Sequence, residues 1–456
     1  MNEQGPVFQK ETLILKEWDE ISPALFFEKV GQESLSPSGQ KLGNLLNASH
    51  FLEIQELRQG ISLKTTSYVG KLNFDSFTLK IKPKLPGLPL LELFRYGYGL
   101  KNIHLYKEEE FNTSDNCLQD ILIHQLLGEI HVLRRQGYFR EYQKKQQRQS
   151  SLKGRIDFPA FIGKGKFASS QLPCVFRRRT SDNALNQMLR FGLQLSYKIA
   201  EDHILKLSCK QSLDLFPEPV SDISDFQFLS DLIWAKENRL NAHYQPAIRI
   251  IKILLSGQGG FLDETNEKIQ IPGFLFDMNR LFQSVIDRFL RENLFGFSVL
   301  SEHSLTGMLG YSTSHNPQKR RAPIPRPDYV IQDNGKSISI LDAKYRDLWE
   351  KPLSREMLYQ LGMYALVHSE VKESTILYPT MNPHASEMRI SISDPVNRVF
   401  QGCINLRPVL VQKFTDLTKL PPGAKADRSR SLYAQYLAFG KTPDYIQISK
   451  NQDGLF

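Results

Sequence analysis

Two aspartates and a lysine towards the C-terminal end of the chain are the residues whose types and spacing best suit chemistry. Asp342 and Lys344 are two residues apart in the sequence. Successive side chains of a strand point to opposite faces, so both lie on one face of the strand predicted at 337–345. Asp328 precedes a second predicted strand at 329–332, and we expect its side chain to join the other two.

The turn between these two strands sets which residues face each other. The dipeptide Asn334-Gly335 is a strong signal for a two-residue type I′ hairpin turn. In that register Asp328 faces Leu341 and lies next to Asp342. The sequence therefore predicts that the two aspartates and the lysine converge on one patch. The alternative is that they are surface charges of a hairpin, since Asp-x-Lys is a common tripeptide.

This patch predicts metal-dependent hydrolysis of a phosphodiester. Two neighbouring carboxylates repel each other, and a bound divalent cation removes that penalty. Mg²⁺ (or Mn²⁺) prefers oxygen ligands and is commonly held by one or two carboxylates with phosphate oxygens and water. The ion makes a bound water more acidic and stabilises charge that develops on a phosphate. Lys344 can orient or deprotonate that water, or neutralise the developing charge.

A helix predicted to follow the hairpin carries two further candidates. Gln360 and Tyr364 are four residues apart, so they share one face of that helix. The glutamine can hold a metal-bound water or a backbone group, and the tyrosine can donate a hydrogen bond to a phosphate. The alternative is an ordinary helix surface with a half-buried tyrosine.

Basic residues are concentrated in one stretch of a chain whose net charge is +9. Between Val132 and Thr180 there are thirteen lysines and arginines but only two acidic residues. Such a local field attracts a polyanion, and DNA or an acidic surface of a partner protein both fit it, as does a solvated face without a partner. The candidate nucleic-acid-binding residues are Arg134, Arg135, Lys144, Lys145 and Arg148, with Lys319, Arg320, Arg321 and Arg326 in a later proline-rich loop.

Composition favours a globular protein of mixed α/β class. The 456 residues predict two or three domains, and 41% hydrophobic residues provide ample core. No apolar run approaches the ~20 residues that span a bilayer, and the N-terminus does not resemble a secretory signal, so we expect a cytoplasmic protein without a membrane contact. Four separated cysteines without a CxxC pair argue against a zinc ribbon or an iron–sulfur cluster.

The pattern of elements predicts three segments. Residues 1–110 are predicted to be β-rich. Residues 111–270 are predicted to be mainly helical and basic, with an exposed loop at Tyr142–Ser151. Residues 271–456 are predicted to follow the order helix, three strands, helix, strand, which is typical of a central mixed sheet flanked by helices.

Together these residues resemble the PD-(D/E)xK nuclease superfamily, in its branch with a trailing Gln-x-x-x-Tyr helix. The motif maps onto Pro327-Asp328, Asp342-Ala343-Lys344, Gln360 and Tyr364. The resemblance implies that Asp328, Asp342 and the carbonyl of Ala343 ligate the metal, with Lys344 beside the attacking water. One position departs from the pattern: many such nucleases have a glutamate where this chain has Gln283, and Asp287 lies one turn further along the same helix face.

The chain is also similar to the McrC family, the nuclease subunits of McrBC-type restriction systems. The segments that carry this resemblance are Tyr68-Val69-Gly70, Leu79–Lys84, Leu152–Ile156, Met278–Phe282 and Leu377–Pro379. It implies a Mg²⁺-dependent DNA endonuclease subunit that acts on methylated double-stranded DNA, with an McrB-like AAA+ GTPase as partner and with residues 1–110 in contact with the partner ring. The sequence contains no GxxxxGKS or GxxxxGKT, so the motor is expected on another chain.

Two other functions remain open from the sequence. One is a standalone PD-(D/E)xK nuclease in repair or defence, for which the basic stretch at 132–180 would hold the DNA. The other is a catalytically weak subunit that binds DNA or activates the GTPase, which Gln283 would favour because an amide is a weaker Mg²⁺ ligand than a carboxylate.

Overall fold

A computed structural model of the protein describes residues 11–85, 87–100, 118–162, 171–216, 242–257, 272–367 and 372–440. The described parts of Met1–Val69, Asp75–Ile103 and Asp277–Phe456 form one compact unit, and those of Gly70–Phe74 and His104–Phe276 form a second. The first and third predicted segments thus fall largely in the first unit, and their division into separate domains stays a prediction. None of the helices in the described ranges is both long and apolar enough to cross a membrane.

The N-terminal part of the chain is rich in strands. Its elements are β1 (Glu11–Lys16), β2 (Glu20–Ile21), α1 (Pro23–Val30), α2 (Pro37–Ala48), β3 (Leu52–Leu57), β4 (Gly60–Thr65), β5 (Tyr68–Asn73), β6 (Phe77–Lys82) and α3 (Gly87–Tyr98). Strand β1 pairs in parallel with β6, and β2, β4 and β3 form an antiparallel sheet. In β6 the apolar side chains of Phe77, Leu79 and Ile81 are buried in the core, whereas those of Lys80 and Lys82 are partly exposed.

The middle part combines helices with a small sheet. Its elements are α4 (Leu118–Gln136), β7 (Glu141–Gln149), β8 (Arg155–Ile156), α5 (Phe158–Ile162), β9 (Leu172–Thr180), α6 (Ala184–Ile199), α7 (His203–Asp214), α8 (Gln245–Ser256) and β10 (Gly273–Asp277). Helices α4, α6, α7 and α8 pack together around side chains such as Leu126, Leu189 and Ile251, which are all fully buried. Gly70 lies in the left-handed region, and a side chain there would collide with the carbonyl of Phe274 on β10.

The prediction of an exposed loop at Tyr142–Ser151 was wrong. Strand β7 covers most of that stretch and pairs antiparallel with β9 along its whole length, while β8 pairs with the other edge of β9. The middle segment is therefore less purely helical than predicted. The strand escaped detection because polar residues occupy both of its faces, so the alternation of apolar and polar residues that marks a half-buried strand is missing.

The C-terminal part is built around a six-stranded mixed sheet. Its elements are α9 (Met278–Asn293), β11 (Ser298–Ser301), β12 (Tyr329–Asp333), β13 (Lys336–Ala343), α10 (Arg355–Val367), β14 (Glu373–Thr380), β15 (Met388–Ser393), β16 (Phe400–Leu410), α11 (Val411–Lys419) and α12 (Ala424–Phe439). The strand order is β11-β12-β13-β14-β16-β15. Strands β13, β14 and β16 run parallel, and the outer pairs are antiparallel. The predicted order of helix, three strands, helix and strand is confirmed, as is the mixed α/β class.

Helix α9 shows why this part folds as predicted. Its apolar residues recur at helical spacing, and Met278, Leu281, Val285 and Phe289 are all buried. The side chain of Asp277 accepts a hydrogen bond of 2.9 Å from the backbone N–H of Asn279, which caps the helix. The buried face holds α9 against the sheet, so its polar residues stand beside the ends of β12 and β13.

Candidate active site

The predicted turn at the hairpin tip is confirmed, and a bulge corrects the register. Asn334 and Gly335 have φ values of 47° and 82°, as a type I′ turn requires. The pairing shifts by one residue between Ile331 and Gln332, which puts Tyr329 opposite Leu341. The predicted pairing of Asp328 with Leu341 is therefore wrong, because two residues of β13 oppose one of β12 at a bulge. Continued by one residue, the register puts Asp328 opposite Asp342.

The structure brings the two predicted carboxylates and the lysine together. Asp328 Oδ2 accepts a hydrogen bond of 2.7 Å from the backbone N–H of Ala343, and Lys344 Nζ lies 3.2 Å from Asp342 Oδ2. The side chain of Asp342 is 4% exposed, whereas that of Lys344 is 25% exposed. The lysine therefore extends from a buried carboxylate towards solvent, where a substrate and a water molecule can reach it.

Two carboxylates and the ammonium group of Lys344 determine the electrostatics of this site. Burial raises the pKa of Asp342 to about 6, and the charge of Asp328 contributes to this rise, while Lys344 opposes both effects. Burial lowers the pKa of Lys344, but the charges of Asp342 and Asp328 together outweigh burial, so the pKa is raised. Lys344 therefore stays positively charged near neutral pH, beside a carboxylate whose ionisation is disfavoured.

Gln360 and Tyr364 share one face of α10, as predicted. Gln360 Nε2 donates a hydrogen bond of 3.1 Å to the hydroxyl oxygen of Tyr364, whose side chain is buried. Burial raises the pKa of Tyr364, and the charges of Asp342 and Asp328 raise it further. The hydroxyl therefore stays protonated near neutral pH, which leaves it able to donate a hydrogen bond. Their roles toward water and phosphate stay predictions.

Gln283 belongs to the site, although it lacks the carboxylate of the usual pattern. Its Nε2 donates a hydrogen bond of 3.0 Å to Asp328 Oδ1, and its backbone carbonyl accepts one of 2.6 Å from the hydroxyl of Tyr329. Asp287, the alternative acid, is instead paired with Arg291 at 3.0 Å and accepts a hydrogen bond from Ser301. The neutral amide of Gln283 thus fixes the orientation of the Asp328 carboxylate and adds no charge to the site.

The oxygen donors fit a magnesium ion that is held partly by solvent and substrate. No group of three or more His, Cys, Asp or Glu side chains suited to a metal occurs within the described ranges. Asp328 and Asp342 supply two carboxylates, and the resemblance adds the carbonyl of Ala343. Mg²⁺ usually keeps several waters and is bound through one or two carboxylates plus phosphate oxygens, so this set suits it.

The basic residues of the middle segment divide between the two faces of its small sheet. In the register of β7 and β9, Lys144 lies opposite Arg177, and Arg148 is on the same face as Lys144. Lys145 lies on the other face, opposite the buried Phe176. The residues that share the first face, here called the basic face, are Tyr142, Lys144, Gln146, Arg148, Arg155, Pro173, Val175, Arg177 and Arg179. Arg134 and Arg135 are exposed in the last turn of α4.

The second basic set lies in the loop that connects β11 to β12. Lys319, Arg320, Arg321 and Arg326 are all exposed. The loop leaves and returns beside the site, because the N–H of Glu302 donates a hydrogen bond of 3.0 Å to the carbonyl of Asp328. Arg326 is two residues before Asp328 in the sequence, so this end of the basic loop lies next to the two carboxylates.

The fold is similar to that of a solved protein chain. The chain is similar to a chain of the refined half-complex from a tetradecameric assembly of Thermococcus gammatolerans McrB AAA+ hexamers with bound McrC, with 20% identity, a TM-score of 0.57, and coverage of 92% of this chain and 99% of that one. A chain of the Thermococcus gammatolerans McrBC complex solved by cryo-EM matches with 18% identity, a TM-score of 0.43, and coverage of 62% and 88%.

Comparison of sequences identifies the family. Among curated proteins no match was found. A sequence model of the McrBC 5-methylcytosine restriction system component matches residues 63–379, which is more than half of the chain and includes Asp328, Asp342, Lys344 and the Gln360–Tyr364 pair. The chain therefore belongs to the McrBC family of 5-methylcytosine restriction system components.

Proposed function

We propose that this chain is the DNA-cutting subunit of a modification-dependent restriction system, and that Asp328, Asp342 and Lys344 hydrolyse the phosphodiester bond. The observation that carries the proposal is the convergence of these three side chains at the ends of β12 and β13, with Lys344 Nζ 3.2 Å from Asp342. A surface hairpin has no need to bury one carboxylate beside another, because the pair costs free energy through charge repulsion. Membership in a family of restriction components supplies a substrate class, DNA that contains 5-methylcytosine.

The proposed cofactor is Mg²⁺ (or Mn²⁺), which Asp328, Asp342 and the carbonyl of Ala343 would hold. When bound, such an ion supplies Lewis-acid stabilisation of charge on the phosphate and acidifies water. Asp328 is oriented for this task by two donors, the N–H of Ala343 and the amide of Gln283. Both carboxylate oxygens of Asp328 are therefore fixed before substrate arrives, which reduces the reorganisation needed for binding.

The other residues act on water and phosphate directly. Lys344 Nζ carries three N–H donors and is partly open to solvent, so it can orient the attacking water and neutralise charge on the phosphate oxygens. The Tyr364 hydroxyl accepts a hydrogen bond from Gln360 and keeps its own proton free to donate to a phosphate oxygen. Because its pKa is raised, Tyr364 acts as a neutral donor and not as a base.

The basic face is the proposed contact with the DNA backbone in the middle segment. Five of its nine residues are cations, and none of these five pairs with a carboxylate within the described ranges. The exposed ring of Tyr142 lies on the same face. Unpaired cations on an exposed sheet face attract phosphates through counterion release, so the affinity should fall steeply with salt. The alternative is an acidic surface of a partner protein.

The proposed partner is an McrB-type AAA+ GTPase that recognises and moves the DNA. The similar Thermococcus structure is a complex of McrB AAA+ hexamers with bound McrC. The present sequence lacks a P-loop, so nucleotide hydrolysis has to come from another chain. Its N-terminal segment, residues 1–110, is the proposed contact with the ring.

The test is cleavage of methylated DNA by the chain together with an McrB-type GTPase from the same organism, GTP and Mg²⁺. We expect Asp342→Ala to abolish cleavage and Lys344→Ala to reduce it by about 10²- to 10⁴-fold, while GTP hydrolysis by the partner stays stimulated. Glu350→Gln, which changes an exposed acid of the same unit, is the matched control and should cut normally. Normal cutting by Asp342→Ala would show that the site is wrong.

A second function, a subunit that activates the GTPase without cutting, is favoured by one observation. Gln283 occupies the place beside Asp328 where a third acidic ligand would strengthen metal binding. In that case the wild-type chain would stimulate GTP hydrolysis but leave DNA intact. Cleavage by the chain alone, without GTP or partner, would instead indicate a standalone nuclease.

A further inference from the structure

We propose that Glu17 and Trp18 are positioning residues for the cleavage reaction, because they hold the residue that directly follows Lys344. This inference rests on the proposed function and adds to it a contribution of the N-terminal segment to the site. Glu17 and Trp18 lie between β1 and β2, more than 300 residues before Lys344 in the sequence. Both segments belong to the same compact unit.

Tyr345 has each of its hydrogen-bonding groups engaged. Its backbone N–H donates to Asn279 Oδ1 at 2.8 Å, and its carbonyl accepts from Trp18 Nε1 at 3.0 Å. Its hydroxyl donates to Glu17 Oε1 at 3.0 Å. The side chain is buried, so these contacts are shielded from water. The hydroxyl also has a hydrogen bond with the backbone of Leu85, so three of the four partners belong to the N-terminal segment, and Asn279 stands in the first turn of α9.

The turn that contains Glu17 and Trp18 is stabilised by hydrogen bonds to neighbouring backbone groups. Glu17 is 1% exposed, its N–H donates to the carbonyl of Lys82 at 3.1 Å, and its Oε1 also accepts from the N–H of Lys84 at 2.6 Å. Trp18 has a φ of 60°, a left-handed conformation that bulky side chains rarely adopt, and its N–H donates to the carbonyl of Thr66 at 3.2 Å. Such a conformation persists only where surrounding contacts enforce it, and it is common near functional sites.

A second contact links the same turn to the chain after Lys344. The carbonyl of Trp18 accepts a hydrogen bond of 3.0 Å from Lys351 Nζ, and the guanidinium of Arg346 lies 5.7 Å from the centre of the indole ring. Trp18 therefore contacts residues 345, 346 and 351 through its indole N–H, its ring and its carbonyl. The turn thus contacts the chain that follows Lys344 at three positions.

The backbone at Lys344 is restrained by its own hydrogen bond and by the contacts of Tyr345, the next residue. The N–H of Lys344 donates to the carbonyl of Leu377 at 3.0 Å, which ties its backbone to β14. Tyr345 then fixes the direction in which the chain continues. If Tyr345 were released, the backbone of Lys344 could rotate, and its Nζ would leave its place beside Asp342. Displacements of about 1 Å in a catalytic group can reduce a rate by about 10²-fold.

The purely structural alternative is that Glu17, Trp18 and Tyr345 only stabilise the packing of the unit. The two interpretations differ in what a mild variant changes. Trp18→Phe removes the indole N–H, and Tyr345→Phe removes one hydroxyl, while both keep an aromatic ring in place. A packing role predicts a lower melting temperature with unchanged turnover of the folded protein. A positioning role predicts a lower kcat at unchanged KM for DNA.

The experiment measures kcat and KM for methylated DNA in the complex with the GTPase partner, and amide hydrogen exchange in the peptide spanning residues 344–348 of the chain alone. We expect Trp18→Phe and Tyr345→Phe to lower kcat by about 10- to 100-fold, with KM unchanged. Exchange in that peptide should accelerate in both variants. Tyr197→Phe, an exposed tyrosine of α6, is the matched control and should change neither quantity.

A combined variant separates this inference from the proposed function. Because the positioning residues act through Lys344, adding Trp18→Phe to Lys344→Ala should not lower kcat further. Unchanged kcat and unchanged exchange in both aromatic variants would overturn the inference, even where Lys344→Ala reduces cutting by about the expected 10²- to 10⁴-fold. Full activity of Lys344→Ala would instead overturn the proposed function. If Trp18→Phe fails to fold, Tyr345→Phe, which removes a single oxygen, still decides between the two interpretations.

Discussion

Asp342 gives the sharpest prediction, because the same burial that shapes the site should weaken the fold. Its pKa is raised from 3.8 to about 6, first by burial and then by the charge of Asp328. Each pKa unit corresponds to about 1.4 kcal/mol, so the shift amounts to about 3 kcal/mol of unfolding free energy. For an acid with a raised pKa this stability is fully present below pH 3.8 and is lost as the pH rises through 6.

The Asn variant tests this reasoning without any partner or substrate. At pH 8, with divalent ions chelated, Asp342→Asn should be more stable than the wild type by at most about 3 kcal/mol, since Lys344 also loses a partner. Near pH 4 the two proteins should melt alike. Added Mg²⁺ at ten times its Kd should stabilise the wild type by about 1.4 kcal/mol and should leave the variant unchanged.

Scanning calorimetry or circular dichroism at the two pH values provides the measurement. Glu350→Gln, which replaces an exposed acid in the same compact unit, is the control and should follow the wild type at both. Equal melting temperatures of the wild type and Asp342→Asn at pH 8, with the same Mg²⁺ response in both, would refute the claim that this buried carboxylate holds the metal.

Three further outcomes follow from the described contacts. Lys344→Ala should reduce cleavage by about 10²- to 10⁴-fold in kinetic assays without weakening DNA binding in gel-shift titrations, since the lysine acts on the reacting groups. Gln283→Glu should tighten Mg²⁺ binding in calorimetric titrations but lower the melting temperature of the metal-free protein, because it replaces a hydrogen bond to Asp328 with charge repulsion. Replacing Lys144 and Arg177 on the basic face with Gln should weaken DNA binding. The slope of log affinity against log salt should become shallower by about 0.9 for each phosphate that is no longer neutralised, as measured by fluorescence anisotropy at several salt concentrations.

Local sequence was sufficient to predict the hairpin and the residues that it brings together. Asn334-Gly335 specified the turn because both residues tolerate positive φ, and the spacing of Asp342 and Lys344 specified a common strand face. The apolar spacing of α9 and its cap at Asp277 were equally local, since they depend on a helix period and one side chain. These are the features for which the residues themselves carry the information.

Other features left no local signal. The bulge in β13 shifts the register by one residue between Ile331 and Gln332, and the turn residues Asn334-Gly335 do not indicate it. Strand β7 gave no periodic signal, so its pairing with β9, and with it the basic face, became visible only in the fold. The placement of Gln283 against Asp328 likewise required α9 and β12 to meet.

The sequence by itself determined which residue types are available for the proposed metal-dependent hydrolysis of a phosphodiester, and in which hairpin they lie. The tertiary structure decided how they are held. It buried Asp342, so that its ionisation became costly, and it left Lys344 partly open to solvent. It also brought Glu17 and Trp18 into contact with Tyr345 across more than 300 residues of sequence. Such contacts arise when distant segments pack together, so the residue pattern within either segment does not reveal them.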